Sequence, residues 1–234
     1  MERTALFWSG LYVLLAITVI AAETCGYRTL MLCTKPLLMP VLAIWLLRRT
    51  PGVRRFFRHS ILAGLTFATL GDTLLMFSGG NYGALFFLLG LAAFLGTHIW
   101  YLGGFLSEVN WRNGFLRKQP VWTVPFFLFL LVFLYWLWPG IPPGMRLPVT
   151  VYALALSSMA MSVVNLRGVF RADMLAFMIA GALLFLFSDC LIAVQKFGHP
   201  FPGARAVILS TYLLGQWLIV RGVADRLRHV PVKK

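Results

Sequence analysis

The chain has 234 residues, of which 60% are hydrophobic and only 12% are charged. A soluble domain carries about 25% charged residues, and the mean hydropathy here is +0.83. This composition excludes an ordinary water-soluble fold. The apolar residues come in blocks of about twenty, the length that a helix needs to cross a bilayer, so the sequence predicts an integral membrane protein.

The net charge of +14 arises from 21 Lys and Arg against seven Asp and Glu. The basic residues lie between the apolar blocks, which is the distribution found in membrane proteins. Nucleic-acid binding instead relies on basic residues gathered to neutralise a phosphate backbone. We therefore expect no nucleic-acid partner.

The apolar blocks predict eight transmembrane helices in chain order, at 5–23, 29–47, 60–78, 83–105, 120–138, 148–166, 174–194 and 205–222. The first block is longer than the signal-peptide core of about 7–15 residues, and no small-x-small cleavage site follows it. The connections are short and leave no room for a soluble domain. Residues 1–234 are thus expected to form a single integral membrane domain, an all-α polytopic helix bundle.

The orientation follows from the positions of Lys and Arg. With the N-terminus in the cytoplasm, the inside segments hold 16 of them: Arg3, Arg48, Arg49, Arg54, Arg55, Arg58, Arg112, Arg117, Lys118, Arg167, Arg171, Arg221, Arg226, Arg228, Lys233 and Lys234. The outside segments hold four: Arg28, Arg146, Lys196 and Arg205. We expect both termini to be cytoplasmic, in the inner membrane of a bacterium or an endoplasmic-reticulum-type membrane of a eukaryote.

Four Lys, Asp and His residues fall well inside the predicted spans, away from their ends: Lys35, Asp72, His98 and Asp189. Each costs about 2.5–3.5 kcal/mol in a membrane helix, so such residues usually pair and face a cavity. With about 1.5 Å of rise per residue, Lys35, Asp72 and Asp189 lie roughly 8–10 Å below the outer ends of their spans. The common depth predicts a polar pocket in the outer half of the bundle. His98 lies roughly 22 Å below the outer end of its span and fits that pocket less well.

These residue types leave the function open. Two carboxyl groups in unlike surroundings can act as acid and base, which would suit a hydrolase. Proton-coupled transport uses the same residue types. Lys35 and His98 also have purely structural interpretations, as a snorkelling or ion-paired lysine and a hydrogen-bonded core histidine.

Five segments resemble the YhhN-like family of lysoplasmalogenases: "TKPLLMP" (34–40), "GDTLLM" (71–76), "FLGTHIWY" (94–101), "GALLFLFSDCLIA" (181–193) and "STYLLGQ" (210–216). They occur in the family order from the second span to the eighth. The chain departs from the common family pattern at Leu213, where a tyrosine is frequent, and at Gly215, where an alanine is frequent.

The resemblance implies a hydrolase that cleaves the vinyl-ether bond of a lysoplasmalogen to give a fatty aldehyde and a glycerophospho-alcohol. It implies a lysophospholipid substrate drawn from the bilayer, and neither a metal nor another cofactor. Asp72 and Asp189 are the expected catalytic residues. The expected supporting or substrate-binding residues are Lys35, His98, Tyr101, Ser188, Thr211, Tyr212 and Gln216. The alternative function is a proton-coupled transporter or lipid flippase that uses the same aspartates.

Overall fold

The computed structural model describes residues 2–53, 55–79, 81–110 and 114–229, with side chains from residue 4 onward. This part of the chain is helical and contains no β-strand, which confirms the predicted all-α class. Of the basic residues counted above, Arg54, Arg112, Lys233, Lys234 and the side chain of Arg3 lie outside the described parts. The long helices are α1 (Glu2–Cys25), α2 (Arg28–Arg49), α3 (Phe56–Leu75), α4 (Gly83–Ser107), α5 (Pro120–Gly140), α6 (Pro143–Val164), α7 (Ala172–Phe197) and α8 (Ala204–His229).

Seven of these helices in the described chain are long and apolar enough to cross a membrane. With their lipid-compatible exposed faces, they make the chain an integral membrane protein. The exception is α3, whose 20 residues include Arg58, His59 and Asp72. The predicted count of eight spans therefore stays a prediction.

Several helix ends differ from the predicted spans. Helix α3 covers Phe56–Leu75 instead of 60–78, α6 begins five residues early at Pro143, and α8 continues seven residues past 222 to His229. Proline suits the first turn of a helix, where its missing N–H is not needed. Arginines end an apolar run without ending a helix, because their charged heads reach water from the last turns.

The bundle is tightest where α3 packs on α4 and α7 packs on α8. Small residues allow both approaches, as is usual between membrane helices. A Cβ atom added to Gly181 of α7 would lie 2.7 Å from the carbonyl oxygen of Gly215 on α8, and one added to Gly64 of α3 would collide with the ring of Tyr101 on α4. These contacts fix the two helix pairs that carry most of the site.

Helix α2 changes to a 3-10 turn at Lys35–Leu37 and then continues as an α-helix to Arg49. Pro36 and Pro40 lack the N–H groups that would continue regular α-helical hydrogen bonding through this point. The interruption is of the kind that proline commonly produces in a membrane helix. Lys35 is the first residue of this turn.

Short connections join α1 to α2, α3 to α4, α5 to α6 and α7 to α8 at one end of the bundle, called here the Gly26 end. The opposite end holds the last turns of α4 and α8. There the buried carboxylate of Glu108 lies 3.2 Å from Arg55 Nη2 and 3.3 Å from Arg226 Nε. These ion pairs tie the α2–α3 connection to α4 and α8.

Candidate active site

Asp72 lies near the C-terminal end of α3 and is almost completely buried. Its Oδ1 is 3.3 Å from the ammonium of Lys35 in the 3-10 turn of α2. Its Oδ2 accepts a hydrogen bond of 2.8 Å from the hydroxyl of Tyr212 on α8. Three helices thus meet at one carboxylate, and the lysine compensates the charge of the ionised form. We call Lys35, Asp72 and Tyr212 the Asp72 cluster.

Asp189 on α7 is held by different partners. Its Oδ2 accepts a hydrogen bond of 2.5 Å from the hydroxyl of Tyr152 on α6 and lies 3.2 Å from Nε2 of His98 on α4. His98 Nε2 is also 3.0 Å from the Tyr152 hydroxyl, so the three groups form a closed triangle. His98 is fully buried, and its Nδ1 has no partner within the described chain. We call these three residues the Asp189 cluster.

His98 and Asp189 are in contact, although counting residues from the predicted span ends places them at different depths. The ring of Phe87 in α4 lies 6.0 Å from that of Phe197, the last residue of α7. Because α4 begins before Phe87, at Gly83, it extends further toward the Gly26 end than α7 does. His98 is eleven residues below Phe87, about 16 Å, and Asp189 is eight residues below Phe197, about 12 Å. The remaining gap is within the reach of two side chains.

The two clusters are neighbours separated by an aromatic side chain. The Phe185 ring lies 5.0 Å from that of His98 and 5.4 Å from that of Tyr212. Phe94 packs on both Phe185 and Tyr212. Helix α4 serves as a measure of depth. Gly71, next to Asp72, faces Phe94 of α4, and Asp189 contacts His98 of α4. Since His98 is four residues after Phe94, the two carboxylates differ in depth by about one helical turn, roughly 6 Å.

The other predicted site residues make hydrogen bonds elsewhere. Tyr101 donates to Gln216 Oε1 at 2.7 Å, and both side chains are fully buried. Ser188 donates to the carbonyl oxygen of Ile208 at 3.0 Å and links α7 to α8. Thr211 bonds back to its own helix at the Val207 carbonyl oxygen. Within the described contacts these side chains support the helices that carry the aspartates and do not touch the carboxylates.

A cavity of about 730 Å³ opens at the Gly26 end, between α1, α2, α3, α4, α7 and α8. Lys35 lies in its wall, so the Asp72 cluster is reached through this lysine. Its charged lining residues are Glu23, Arg28, Lys35, Lys196 and Arg205. We call it the entrance cavity.

A second cavity of about 40 Å³ lies between α5, α6 and α7. Asp189 and Tyr152 line it together with apolar side chains such as Phe129, Phe133 and Leu186. Neither of these two cavities is lined by both aspartates. Asp189 lines the small, mostly apolar cavity, whereas Asp72 lies behind Lys35, which lines the entrance cavity.

Two aromatic residues of the site, Tyr152 in the Asp189 cluster and Phe185 between the clusters, were not among the residues expected from the sequence. Tyr152 lies nine residues from the start of α6 and thus well inside the span. A hydroxyl at that depth needs a partner, which is the signal that identifies it. Phe185 carries no such signal, because phenylalanine is an ordinary residue of membrane helices.

Two buried carboxyl groups, one paired with a lysine and one with a histidine, lie within helices long enough to cross a membrane. This arrangement defines an integral membrane protein with an ionisable site inside its helix bundle. The chain belongs to the YhhN family, which matches residues 30–223. It is 30% identical over 187 residues to Lysoplasmalogenase TMEM86B of Sus scrofa, an alignment that covers 80% of this chain and 73% of that protein.

Two further relatives carry a similar name. Lysoplasmalogenase TMEM86A of Bos taurus is 31% identical over 196 residues, and Lysoplasmalogenase TMEM86A of Homo sapiens is 29% identical over 196 residues. Both alignments cover 80% of this chain and 76% of the relative. No solved structure gives a significant match.

Proposed function

We propose that this chain is a lysoplasmalogenase-type hydrolase, which cleaves the vinyl-ether bond of 1-alkenyl-glycerophosphoethanolamine or 1-alkenyl-glycerophosphocholine. Family membership and the names of the relatives support this activity. The structural observation that carries the proposal is the contrast between the two buried aspartates. One is paired with a lysine, and the other shares a hydrogen-bonded triangle with a histidine and a tyrosine.

The reaction needs one positioned acid and one group that stabilises positive charge. A proton is added to the β-carbon of the vinyl ether, and the electron pair of the double bond forms the new C–H bond. The carbon bound to oxygen becomes an oxocarbenium ion. Water adds there and loses a proton, and the resulting hemiacetal breaks its C–O bond to release the aldehyde and the alcohol. Glycosidases use two carboxyl groups for a related oxocarbenium transition state.

The contacts suggest which aspartate has which role. Asp189 and His98 together hold one transferable proton when the pair is electrically neutral, and Tyr152 fixes the carboxyl oxygen that carries it. We assign the proton donation to Asp189. Asp72, whose charge is balanced by Lys35, is assigned the ionised role: it stabilises the oxocarbenium ion and accepts a proton from the attacking water.

A substrate that meets both carboxyl groups must lie beside the ring of Phe185, which separates the clusters. An aromatic face there favours a nearby cation and keeps bulk water from the intermediate. The buried position of both aspartates serves the same purpose, since the oxocarbenium ion reacts with any nucleophile that reaches it.

We also infer that α3 is an eighth span and that both termini face the cytoplasm. Helix α3 packs along α4 throughout its length and is buried on that face at Ile61, Gly64 and Ala68. Asp72 is also buried, while the exposed side of the helix carries apolar residues such as Phe56 and Leu70, so the helix can face lipid although it contains charged residues. The ratio of 16 inside to four outside basic residues supports the orientation.

The activity is tested with protein purified in detergent and two lysolipids, one with a vinyl ether and one with a saturated alkyl ether of the same chain length. We expect aldehyde from the vinyl ether alone. Asp72→Asn and Asp189→Asn should each abolish its release. Asp173→Asn is the matched control, because Asp173 lies on α7 with an exposed side chain that pairs only with Arg171 among its described contacts.

Absence of aldehyde with a folded parent protein would reject the proposed reaction. Full activity in either site variant would keep the hydrolase but remove that aspartate from the mechanism. Folding is checked for every variant by its elution as a single symmetrical species and by its unfolding temperature.

A further inference from the structure

The entrance cavity has an excess of positive charge. Four of its described lining residues are basic, Arg28, Lys35, Lys196 and Arg205, and one, Glu23, is acidic. Lys35 is already paired with Asp72 and Arg205 with Glu23. The described chain offers no carboxylate partner for Lys196 or Arg28. The mouth of the cavity therefore presents two basic groups without counter-charges.

The positions of these residues are unusual for a membrane protein. Basic residues are strongly depleted on the side of the membrane opposite the cytoplasm, and the sequence places only four there. Three of those four, Arg28, Lys196 and Arg205, line the entrance cavity. The fourth, Arg146, lies over the ring of Trp138 at 5.0 Å and is not part of the cavity lining. The exceptions to the charge rule thus gather around one opening.

Two of the three side chains are held in place. The Lys196 ammonium lies 4.8 Å from the ring centroid of Phe87, a cation–π contact that leaves its N–H groups available. Arg205 Nη1 is 2.9 Å from Glu23 Oε1. Such preorganised cations bind an anion with less loss of side-chain entropy than freely moving ones.

We propose that the entrance cavity binds the phosphate group of a lysophospholipid, with Lys196 and Arg28 as the principal ligands and Arg205 at the rim. The identity of the ligand rests on the proposed function. Lys and Arg are the side chains suited to phosphate oxygens. A lysolipid whose phosphate lies at this mouth has its glycerol and ether oxygen directed inward, toward Lys35 and the Asp72 cluster. The cavity therefore positions the ether bond by holding the head group.

The test measures binding separately from cleavage. The full-length protein in detergent is titrated by calorimetry with 1-O-alkyl-glycerophosphoethanolamine, which has no vinyl ether, and with 1-O-alkylglycerol of the same chain, which has no phosphate. The parent should prefer the phosphate-containing lipid. Lys196→Gln and Arg28→Gln should each weaken its binding about tenfold or more, as expected for loss of a hydrogen bond to a charged group, and leave binding of the alkylglycerol unchanged.

Arg146→Gln is the matched control, because it removes an outside charge that is not at the cavity and should change neither affinity. Equal affinity of the parent for the two lipids would overturn the proposal. So would an effect of Lys196→Gln that Arg146→Gln reproduces. Full competition by inorganic phosphate at the lysolipid concentration would overturn the assignment to a lipid, since it would identify a site for free phosphate.

The same variants separate this inference from the hydrolase itself. With the vinyl-ether substrate, Lys196→Gln should raise KM rather than lower kcat. Cleavage with an unchanged KM in both cavity variants would reject the phosphate site and keep the enzyme. A phosphate preference that depends on Lys196, in a protein that releases no aldehyde, would keep the binding site and reject the proposed reaction.

Discussion

Lys35 Nζ lies 3.3 Å from Asp72 Oδ1, and both side chains are largely withdrawn from solvent. The contact joins the 3-10 turn of α2 to the end of α3. It also connects the entrance cavity, which Lys35 lines, to a carboxylate that does not itself line it. The lysine is thus placed to neutralise Asp72 and to contact a molecule bound in the cavity.

Removal of this lysine should destabilise the protein. Lys35→Met keeps the apolar stem and leaves Asp72 without its counter-charge, which should lower the free energy of unfolding by about 3–5 kcal/mol. Thermal unfolding in detergent measures this change. Adding Asp72→Asn to Lys35→Met should recover much of the stability, because the uncompensated charge is gone, while aldehyde release stays absent. A Lys35→Met protein as stable as the parent would contradict the importance of the pair.

Tyr212 and Tyr101 provide a matched pair of hydroxyl deletions. Tyr212→Phe removes the hydrogen bond to Asp72 and keeps the ring against Phe94 and Phe185. A hydrogen bond to a charged group contributes about 1.5–3 kcal/mol, so kcat should fall roughly 10- to 100-fold. Tyr101→Phe removes a bond to Gln216 and should lower the unfolding temperature with little change in kcat. Equal effects of both variants on kcat would refute a special role for Tyr212.

The Asp189 cluster should control proton delivery. His98→Gln can still hydrogen-bond Asp189 but cannot carry a proton. Loss of a positioned acid–base group typically costs about 10²–10⁴-fold, and we expect kcat to fall by about that factor and its pH dependence to change shape. Tyr152→Phe should produce a smaller decrease in kcat with the shape of the pH profile retained. Steady-state kinetics across pH 5–9 distinguishes the two; an unaltered profile in His98→Gln would exclude the shared proton.

The sequence predicts the charged parts of the site because charge is costly in a membrane. Lys35, Asp72, His98 and Asp189 are conspicuous in apolar segments, and the structure places each of them in one of two clusters. Which residues pair could not be predicted from depth alone. Counting residues from a span end assumes that neighbouring helices begin at one level. In the structure, α4 extends further toward the Gly26 end than α7 does.

Aromatic residues mark the other limit of prediction from the sequence. Tyr152 contacts Asp189 and Phe185 lies between the two clusters, yet 15% of the residues are aromatic, so neither residue stands out in the sequence. The structure, and not the sequence, explains why this chain has Gly215 where an alanine is frequent in the family. A Cβ atom there would lie 2.9 Å from the carbonyl oxygen of Gly181, so this chain uses glycine where α7 and α8 touch.

The orientation of the bundle can be tested with the cysteines of the chain. Cys25 is free and exposed at the Gly26 end. In a Cys33→Ser, Cys190→Ala background, a membrane-impermeant maleimide should label Cys25 in intact cells that carry the protein in their plasma membrane. A cysteine introduced by Arg171→Cys, before α7 at the opposite end, should react only after permeabilisation. The reverse pattern would place the termini and the entrance cavity on the other sides.

The contact between α7 and α8 predicts a sharp difference between two glycine substitutions. Gly181→Ala places a methyl group 2.7 Å from both the Gly215 carbonyl oxygen and the Ile219 amide nitrogen, which are backbone atoms and can move only with the helix. Overpacking of this kind costs about 1–3 kcal/mol. Gly103→Ala in α4 meets no atom within 4 Å and should stabilise its helix by about 0.5–1 kcal/mol.

Separation of α7 from α8 should also affect the chemistry, because Asp189 is on the first helix and Tyr212 on the second. We expect Gly181→Ala to lower both the unfolding temperature and kcat, and Gly103→Ala to keep the parent kcat. The unfolding temperature and aldehyde release are measured on the same preparations. If Gly181→Ala lost stability but kept full kcat, the spacing of these two helices would matter for folding and not for the geometry of the two clusters.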